Sequence, residues 1–420
     1  MSAAASAGGA ARPRLILLSQ WFDPEPTVRG LAFARRLDAL GFDVEVVTGF
    51  PNYPGGKVYE GYRIRPLRRE VVDGIRITRL ALYPSHDRSR IGRVLNYVSF
   101  FFSATFYLLF LARRADVIHA YHPPLTVALA GVAARLLRRM PLVLDVQDMW
   151  PDTLRATGML NNERALRLIG AVCRWTWRRA DRISVLSEGF QRLLVERGVP
   201  PERITVISNW ADEAGTDGAA VPLPAFAAPG RFRVLFAGNM GPAQALDTVI
   251  DAAALLTGTH PQIEFCFLGG GLEATRLQQA AAMRGLANVR FFPRVPQAEV
   301  GPWLAAADAL LVHLRDDPLF AITVPSKTQA YLAAGKPILM AVAGDAAELV
   351  RRAGAGLAVP PENAAALAAA VTEMAGMEPG RLAALGANGR RYYDEHLSFA
   401  RGTQRMAAVL RQAMAGNGRA

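Results

Sequence analysis

Lysine is nearly absent from this chain. Of 48 basic residues, Lys57, Lys327 and Lys336 are the lysines and the other 45 are arginines. Where arginine is so favoured, a retained lysine marks a place that suits a compact ammonium on a flexible stem better than a planar guanidinium. Cysteine is equally scarce. Cys173 and Cys266 stand far apart, which excludes a disulfide framework and any metal or redox spacing and fits a reducing cytoplasm. The six histidines show no ligand spacing beyond His119/His122, and no Asp-x-Asp pair occurs, so no metal is expected. The first eleven residues lack early charge and the apolar run Leu15–Leu18 is short, so no signal peptide is expected.

The 420 residues are 51% hydrophobic and 20% charged, a globular composition with length enough for two domains. The net charge of +12 is lopsided: residues 1–215 carry 30 basic and 20 acidic side chains, residues 216–420 carry 18 and 16. A basic first half calls for an anionic partner. Nucleic acid is excluded as that partner, because no recognition motif or aromatic-basic strip occurs. A lipid surface or a phosphorylated substrate remains.

Apolar runs of strand length alternate with helix-length segments. Strands are expected at Arg14–Ser19, Asp43–Thr48, Ile75–Arg79, Asp116–Tyr121, Leu142–Val146 and Arg182–Leu186, with a helix over Val28–Leu40. A second series runs through Phe232–Ala237, Ile263–Leu268, Val289–Phe292, Ala309–His313, Pro337–Ala341 and Gly356–Val359. Continuous apolar strands between helices mean parallel sheets covered on both faces. Residues 1–13 are expected to be disordered, and the Ala/Gly/Pro-rich stretch 211–230 reads as an interdomain linker. Val94–Ala112 has nineteen residues without a charge, including Phe100-Phe101-Phe102, between Arg88/Arg90/Arg93 and Arg113/Arg114. That is long enough to span a bilayer. However, Asp116–Tyr121 just after it is expected in the same sheet as Arg14–Ser19. A helix lying on an anionic membrane surface is therefore preferred over a spanning or fully buried one.

Several segments carry residues suited to chemistry. Pro325-Ser326 reads as a helix start with Ser326 as N-cap, placing Lys327 beside unpaired N–H groups as an anion site; a solvated surface lysine is the alternative. Gly238-Asn239-Met240-Gly241 sits between a strand and a helix expected near Ala243, and lets backbone approach a phosphate; a plain turn is the alternative. Gly269-Gly270-Gly271 is a second such turn at a strand's carboxyl end, where open parallel sheets bind ligands. In the first half, Gln20–Pro26 follows the first strand. Asp148 and Asp152 flank Trp150-Pro151, with helix capping as their alternative role. His119 and His122 lie around the end of Asp116–Tyr121, with a core role as theirs.

In this order, Gln20-Trp21-Phe22-Asp23-Pro24-Glu25, the run Asp145–Asp152, Phe236–Gln244 and Val324–Leu339 resemble the family 4 retaining glycosyltransferases. More narrowly, they resemble the bacterial subgroup that builds surface polysaccharides on a lipid carrier, over about Arg14–Leu410. The resemblance implies an α/β fold of two Rossmann-like doubly wound domains facing a cleft, the GT-B type. An acceptor domain would cover 14–210, a nucleotide-sugar domain 231–396, and a helix within 397–420 would cross back to the first domain. It implies retaining transfer from a nucleoside-diphosphate sugar, UDP-linked by expectation, to a lipid-linked saccharide. No metal or cofactor is implied, and the place would be the cytoplasmic face of the plasma membrane. The donor side would comprise Gly238, Asn239, Gly241, Gln244, Gly269, Gly270, Gly271, Arg294, Ser326, Lys327 and Ala330. The acceptor side would comprise Gln20, Trp21, Phe22, Asp23, Asp148 and Trp150. Asp148, His119, His122 and Lys327 are the catalytic candidates. Asp148 would orient or deprotonate the acceptor hydroxyl, Lys327 would neutralise the departing diphosphate, and a histidine would stand near the reacting sugar, with Tyr121 competing for that place.

The chain also departs from the family. Gln244 stands where many members carry a base, although the lipid-carrier subgroup typically has glutamine there. Ala330 replaces the glutamate that binds ribose hydroxyls, Ile322 replaces its partner eight residues earlier, and Gln329 points about 100° away on the helix. Two other readings stay open: a nucleotide-sugar-binding or scaffold subunit with little turnover, and a sugar-nucleotide epimerase of the same architecture.

Overall fold

The protein, a computed structural model, is described over residues 11–85, 90–213 and 230–417. Most of the expected disordered N-terminus and of the expected linker, with Arg88 and the side chain of Arg90, lie outside the described residues. The first sheet holds Arg14–Leu18 (β1), Asp43–Gly49 (β2), Leu67–Val72 (β3), Ile75–Leu80 (β4), Val117–His122 (β5), Leu142–Val146 (β6), Arg182–Val185 (β7) and Ile204–Val206 (β8). Its order is β3-β4-β2-β1-β5-β6-β7-β8, parallel except for the β3–β4 pair. The second sheet holds Phe232–Asn239 (β9), Ile263–Gly270 (β10), Val289–Phe292 (β11), Ala309–His313 (β12), Ile338–Ala341 (β13) and Gly356–Ala358 (β14). It is wholly parallel in the order β11-β10-β9-β12-β13-β14.

The first domain's helices are Leu31–Ala39 (α1), Arg90–Phe106 (α2), Leu125–Arg138 (α3), Asp152–Ala156 (α4), Glu163–Arg179 (α5) and Glu188–Glu196 (α6). Those of the second are Asp247–Leu256 (α7), Ala274–Met283 (α8), Val300–Ala306 (α9), Pro318–Ala321 (α10), Ser326–Ala333 (α11), Asp345–Ala353 (α12), Ala364–Ala375 (α13) and Pro379–Tyr392 (α14). Phe399–Asn417 (α15) follows. Central strands such as β5 and β6 are buried at every position, because helices cover both faces. Strands β3 and β8 were not expected. They lie at the sheet's edges, where a half-exposed run such as Leu67–Val72 carries three charges and no continuous apolar signal. Helix α1 begins at Leu31 and not Val28, because the Asp23 carboxylate accepts the Leu31 N–H at 2.7 Å and fixes the start there.

Helix α15 packs against the first domain. Its Met406, Leu410 and Ala413 share one buried cluster with Leu15, Phe33 and Phe42 of the first domain. Both crossings between the domains meet at Trp210. The Arg29 guanidinium lies 4.3 Å over its ring, Phe33 stacks at 5.8 Å, and Phe399 meets it edge-on at 5.2 Å. Arg29 in turn donates to Asp145 at 2.7 Å, and the other Asp145 oxygen accepts from Gln147 and Ser184 at 2.8 and 2.9 Å. Burial alone would raise the Asp145 pKa, but the Arg29 charge and the His119 imidazole overcome it and hold the carboxyl below its usual range. On the cleft's other flank, Asp345 at the start of α12 accepts from Gly189 N–H (2.5 Å) and Arg192 (2.7 Å), and Ser187 donates to the Ile322 carbonyl.

Helix α2 continues through a π-turn, Tyr107–Leu111, so Ile91–Leu111 forms a continuous 21-residue rod that is apolar from Val94 onward. It does not span a membrane in this fold, because β1 before it pairs directly with β5 after it. Phe100, Ala104, Tyr107 and Leu108 are buried, while Ile91, Phe102 and Phe110 are 74%, 65% and 70% exposed. The rod is therefore neither fully buried nor spanning.

A Cβ at Gly402 would lie 2.5 Å from the Trp210 ring, whereas one at Gly416 on the same helix meets nothing within 4 Å. Gly402→Ala should lower stability by about 1–3 kcal/mol through overpacking, and Gly416→Ala should change little. Urea denaturation midpoints of the two variants check this, and equal midpoints would contradict the packing described.

Candidate active site

Open parallel sheets bind ligands beyond the carboxyl ends of their strands, at the point where the strand order reverses. Here the reversals fall between β1 and β5 and between β9 and β12. The loop Gln20–Pro26 and His122 end the first pair. The Gly238 turn and the segment His313–Arg315 end the second.

On the second domain, β9 carries Gly238 at its end with φ of 138°, and Gly269 of β10 packs so closely that a Cβ there would lie 2.1 Å from the Gly238 carbonyl. The two glycine turns form one backbone surface, tied by the Met240 N–H to the Gly270 carbonyl at 2.8 Å. Lys327 reaches toward it. Its Nζ lies 3.6 Å from the Phe236 ring centroid and 3.4 Å from where a Gly238 Cβ would stand. The ammonium is buried and has no hydrogen-bond partner among the described residues. Burial pulls its pKa down to about 7.

Helix α11 starts one residue earlier than expected. Pro325 occupies the N-cap and Ser326 is the first helical residue, exposed and without a side-chain cap bond. Gln329 is buried, and its amide nitrogen is placed to donate to the Pro325 and Ser326 carbonyls at 2.9 and 3.0 Å. It therefore closes its own helix start and does not stand in for a carboxylate at Ala330. Nor does an α-helix begin at Ala243. Pro242–Gln244 is a single 3₁₀ turn, with Gln244 Oε1 accepting the Gly241 N–H at 2.9 Å, and α7 starts at Asp247. Gln244 thus serves its own turn, and its carbonyl lies 2.7 Å from His313 Nδ1. Burial lowers the His313 pKa and Lys327 reinforces the shift. Arg294 is exposed beyond β11.

Arg315 was not anticipated. Its N–H bonds the Ala243 carbonyl at 2.9 Å, and its guanidinium reaches the Ala156 carbonyl of the first domain at 3.4 Å. Its backbone thus holds the turn, while its guanidinium lies 3.9 Å from the Asp317 carboxylate. Its position directly after an apolar strand, at a carboxyl end, was the available signal.

On the first domain, Glu25 locks the loop by accepting N–H bonds from Phe22, Asn52 and Tyr53 at 3.1, 2.7 and 2.7 Å. The expected acceptor residues separate accordingly. Phe22 is buried in the core, Gln20 is buried and donates to Asn96 at 2.5 Å, and Asp23 caps α1, so these three build the loop. Trp21 remains half-buried, 5.0 Å from Tyr53 and 6.4 Å from Tyr97 of α2. His119 points into the Asp145 cluster at 3.5 Å and against Phe33, so it is a core residue and not a cleft residue. His122, the last residue of β5, faces Trp150 edge-on at 6.3 Å, and burial pushes its pKa down to about 4. It is neutral at physiological pH, with neither ring nitrogen hydrogen-bonded among the described residues. Asp148 is half-buried with its pKa raised by burial, which suits a proton acceptor. Asp152 pairs with Arg197 at 2.7 Å and opens α4. One wall of the cleft thus offers backbone and ammonium to an anion, and the other offers aromatic rings and a carboxylate to an uncharged polar molecule.

Residues 26–210 match the "Glycosyl transferase 4-like domain" and residues 231–376 match "Glycosyl transferases group 1". WbjE of Pseudomonas aeruginosa, named as a glycosyltransferase, is 28% identical over 78% of this chain and 83% of its own length. WcaI of Escherichia coli (strain K12), named as a colanic acid biosynthesis glycosyl transferase, is 30% identical over 71% of this chain and 75% of its own. Among solved structures, HepE of Anabaena in complex with UDP-glucose shares the fold with a TM-score of 0.67 at 17% identity, covering 95% of this chain and 99% of its own. With two Rossmann-like domains of the GT-B type and these relatives, the chain belongs to the family 4 glycosyltransferases.

Proposed function

We propose that this protein transfers a sugar, with retention, from a UDP-linked donor to a lipid-linked saccharide during surface polysaccharide synthesis. The observation that carries the reading is the buried, unpartnered Lys327 ammonium facing the Gly238 turn. The anion that fits there is the diphosphate of a nucleotide sugar. As the bond from C1 to the diphosphate oxygen breaks, Lys327 and the α11 N-terminus stabilise the departing charge, and Arg315 lies beside the turn to share it. The acceptor oxygen bonds to C1 from the same face, and its proton passes to Asp148, whose burial-raised pKa makes it receptive. His122, fully buried and held neutral, packs edge-on against Trp150 behind the acceptor wall. These groups need no metal. HepE was crystallised with UDP-glucose, and the names of WbjE and WcaI support a glycosyltransferase in polysaccharide synthesis. The exposed apolar face of α2 and its π-turn, ending at the exposed Arg113 and Arg114, supports a peripheral place on an anionic membrane. An epimerase with soluble substrates would have no use for that face. Incubating purified protein with labelled nucleotide sugars and bacterial lipid extract tests the proposal: label should enter the lipid fraction, and its absence with every donor would favour a binding subunit.

Lys327→Ala should lower turnover by two to three orders of magnitude, since one preorganised charge contributes roughly 3–4 kcal/mol to leaving-group stabilisation. In the wild type, donor affinity should fall as pH rises above 7. There the free ammonium deprotonates, and binding must take up a proton, up to about tenfold per pH unit. Below 7 the lysine is already charged and this dependence vanishes. Lys327→Arg should bind without the slope. Calorimetric titration with UDP from pH 6.5 to 9 reads both.

Ala330 is half-buried at the donor helix and supplies no ribose acceptor. Ala330→Glu should tighten UDP roughly tenfold or more, since a charge-assisted hydrogen bond contributes roughly 1.5–3 kcal/mol. Unchanged affinity would mean the ribose lies elsewhere.

For the membrane, Phe102→Asp with Phe110→Asp should abolish flotation with anionic liposomes and leave the circular dichroism spectrum unchanged, because both side chains face solvent. Flotation that survives both charges would move the membrane contact off this helix.

A further inference from the structure

Beside the exposed face of α2 runs a groove of about 640 Å³, walled by Pro66, Leu80 and Ala81 on the strand side and by Phe102, Phe106 and Leu111 on the helix side. We infer that this groove seats the hydrocarbon chain of the acceptor lipid, which rests on the reading of the protein as a transferase to a lipid-linked saccharide. Three observations support that occupant. The lining offers almost nothing to a polar group, and Arg65 is its one charged side chain among the described residues. A peptide seated there would leave buried amides unpaired, whereas a hydrocarbon chain has none to satisfy. The groove is also continuous with the exposed face at Phe102 and Phe106, so a chain leaving a bilayer reaches it without crossing water.

The helix itself connects groove and cleft. Near its N-terminus, Asn96 bonds Gln20 (2.5 Å) and Asn52 (3.2 Å), and Tyr97 stands 6.4 Å from Trp21, which binds it to the acceptor loop. At 1.5 Å per residue, the groove begins at Phe102 about 8 Å further along and ends at Leu111 about 21 Å from Tyr97. An acceptor with its saccharide at Trp21 would then lay its phosphate linkage along the first span and its chain along the second. Arg93, one turn before Tyr97, and Arg65 at the groove place positive charge at both ends of that first span. Such a groove makes turnover depend on chain length. Each methylene it buries should improve acceptor binding about fourfold until the groove is full.

The test compares one saccharide diphosphate carried on a long prenyl chain and on a short, water-soluble alkyl chain. Wild type should prefer the long chain at least thirtyfold in kcat/KM. Ser103→Trp fills the groove from the helix side and should cut that preference at least tenfold through KM, while flotation with anionic vesicles persists. Ala81→Phe fills it from the strand side and should do the same, so a folding defect in one variant leaves the other to be read. An unchanged preference in both variants would overturn the inference. So would loss of flotation together with the preference, since the groove would then hold a bilayer lipid and not the acceptor's chain. A wild type that transfers equally to both acceptors overturns the inference alone, and one that transfers to neither overturns the functional reading beneath it.

Discussion

A buried ammonium at the start of a helix is the constraint on which this cleft depends. The α11 N-terminus is itself positive, and burial removes the water that would solvate Lys327. Both effects disfavour the charged lysine, and the Phe236 ring face compensates only in part. An anion arriving at the Gly238 turn reverses both at once, because it pairs with the ammonium and with the free N–H groups. In the proposed function, selectivity for a diphosphate would therefore come from a buried ammonium that the surrounding side chains leave unpaired. The interlocked glycine turns keep the backbone close enough for the anion to reach the lysine.

The opposite wall has the reverse design. There the carboxylate charge is paired: Asp145 accepts from Arg29, Gln147 and Ser184, with Trp210 stacked on the arginine. Buried pairs of this kind bring little net stability but penalise any arrangement that separates them. Because Trp210 also receives Phe399, the cluster sets where both interdomain crossings leave the first sheet. Asp148, three residues on from Asp145, has no such partners among the described residues, and burial raises its pKa.

Much of this was legible in the sequence, and what was not has physical reasons. Continuous apolar runs revealed the buried strands, and the composition of Val94–Ala112 revealed a helix with one face that nothing among the described residues covers. Edge strands β3 and β8 carry no such run. The direction of side chains in Gln20–Pro26 depends on Glu25 bonding backbone almost thirty residues away, so Phe22 and Asp23 could not be separated from Trp21 by pattern. His119 lies in the core because its strand position faces Asp145 and Phe33, contacts that appear only once β5 and β6 are paired. Lys327 stood out by rarity alone, and its surroundings gave that rarity a cause.

The same rarity permits a direct measurement. With three lysines in the chain, carbon-13 labelling at the lysine ε-carbon gives three resonances to follow with pH, with and without UDP. The account predicts that Lys327 titrates near 7 in the free protein and moves up by at least two pH units when UDP binds. A Lys327 that titrates as an ordinary lysine does, near about 10.4, and ignores UDP would contradict the site proposed for the donor.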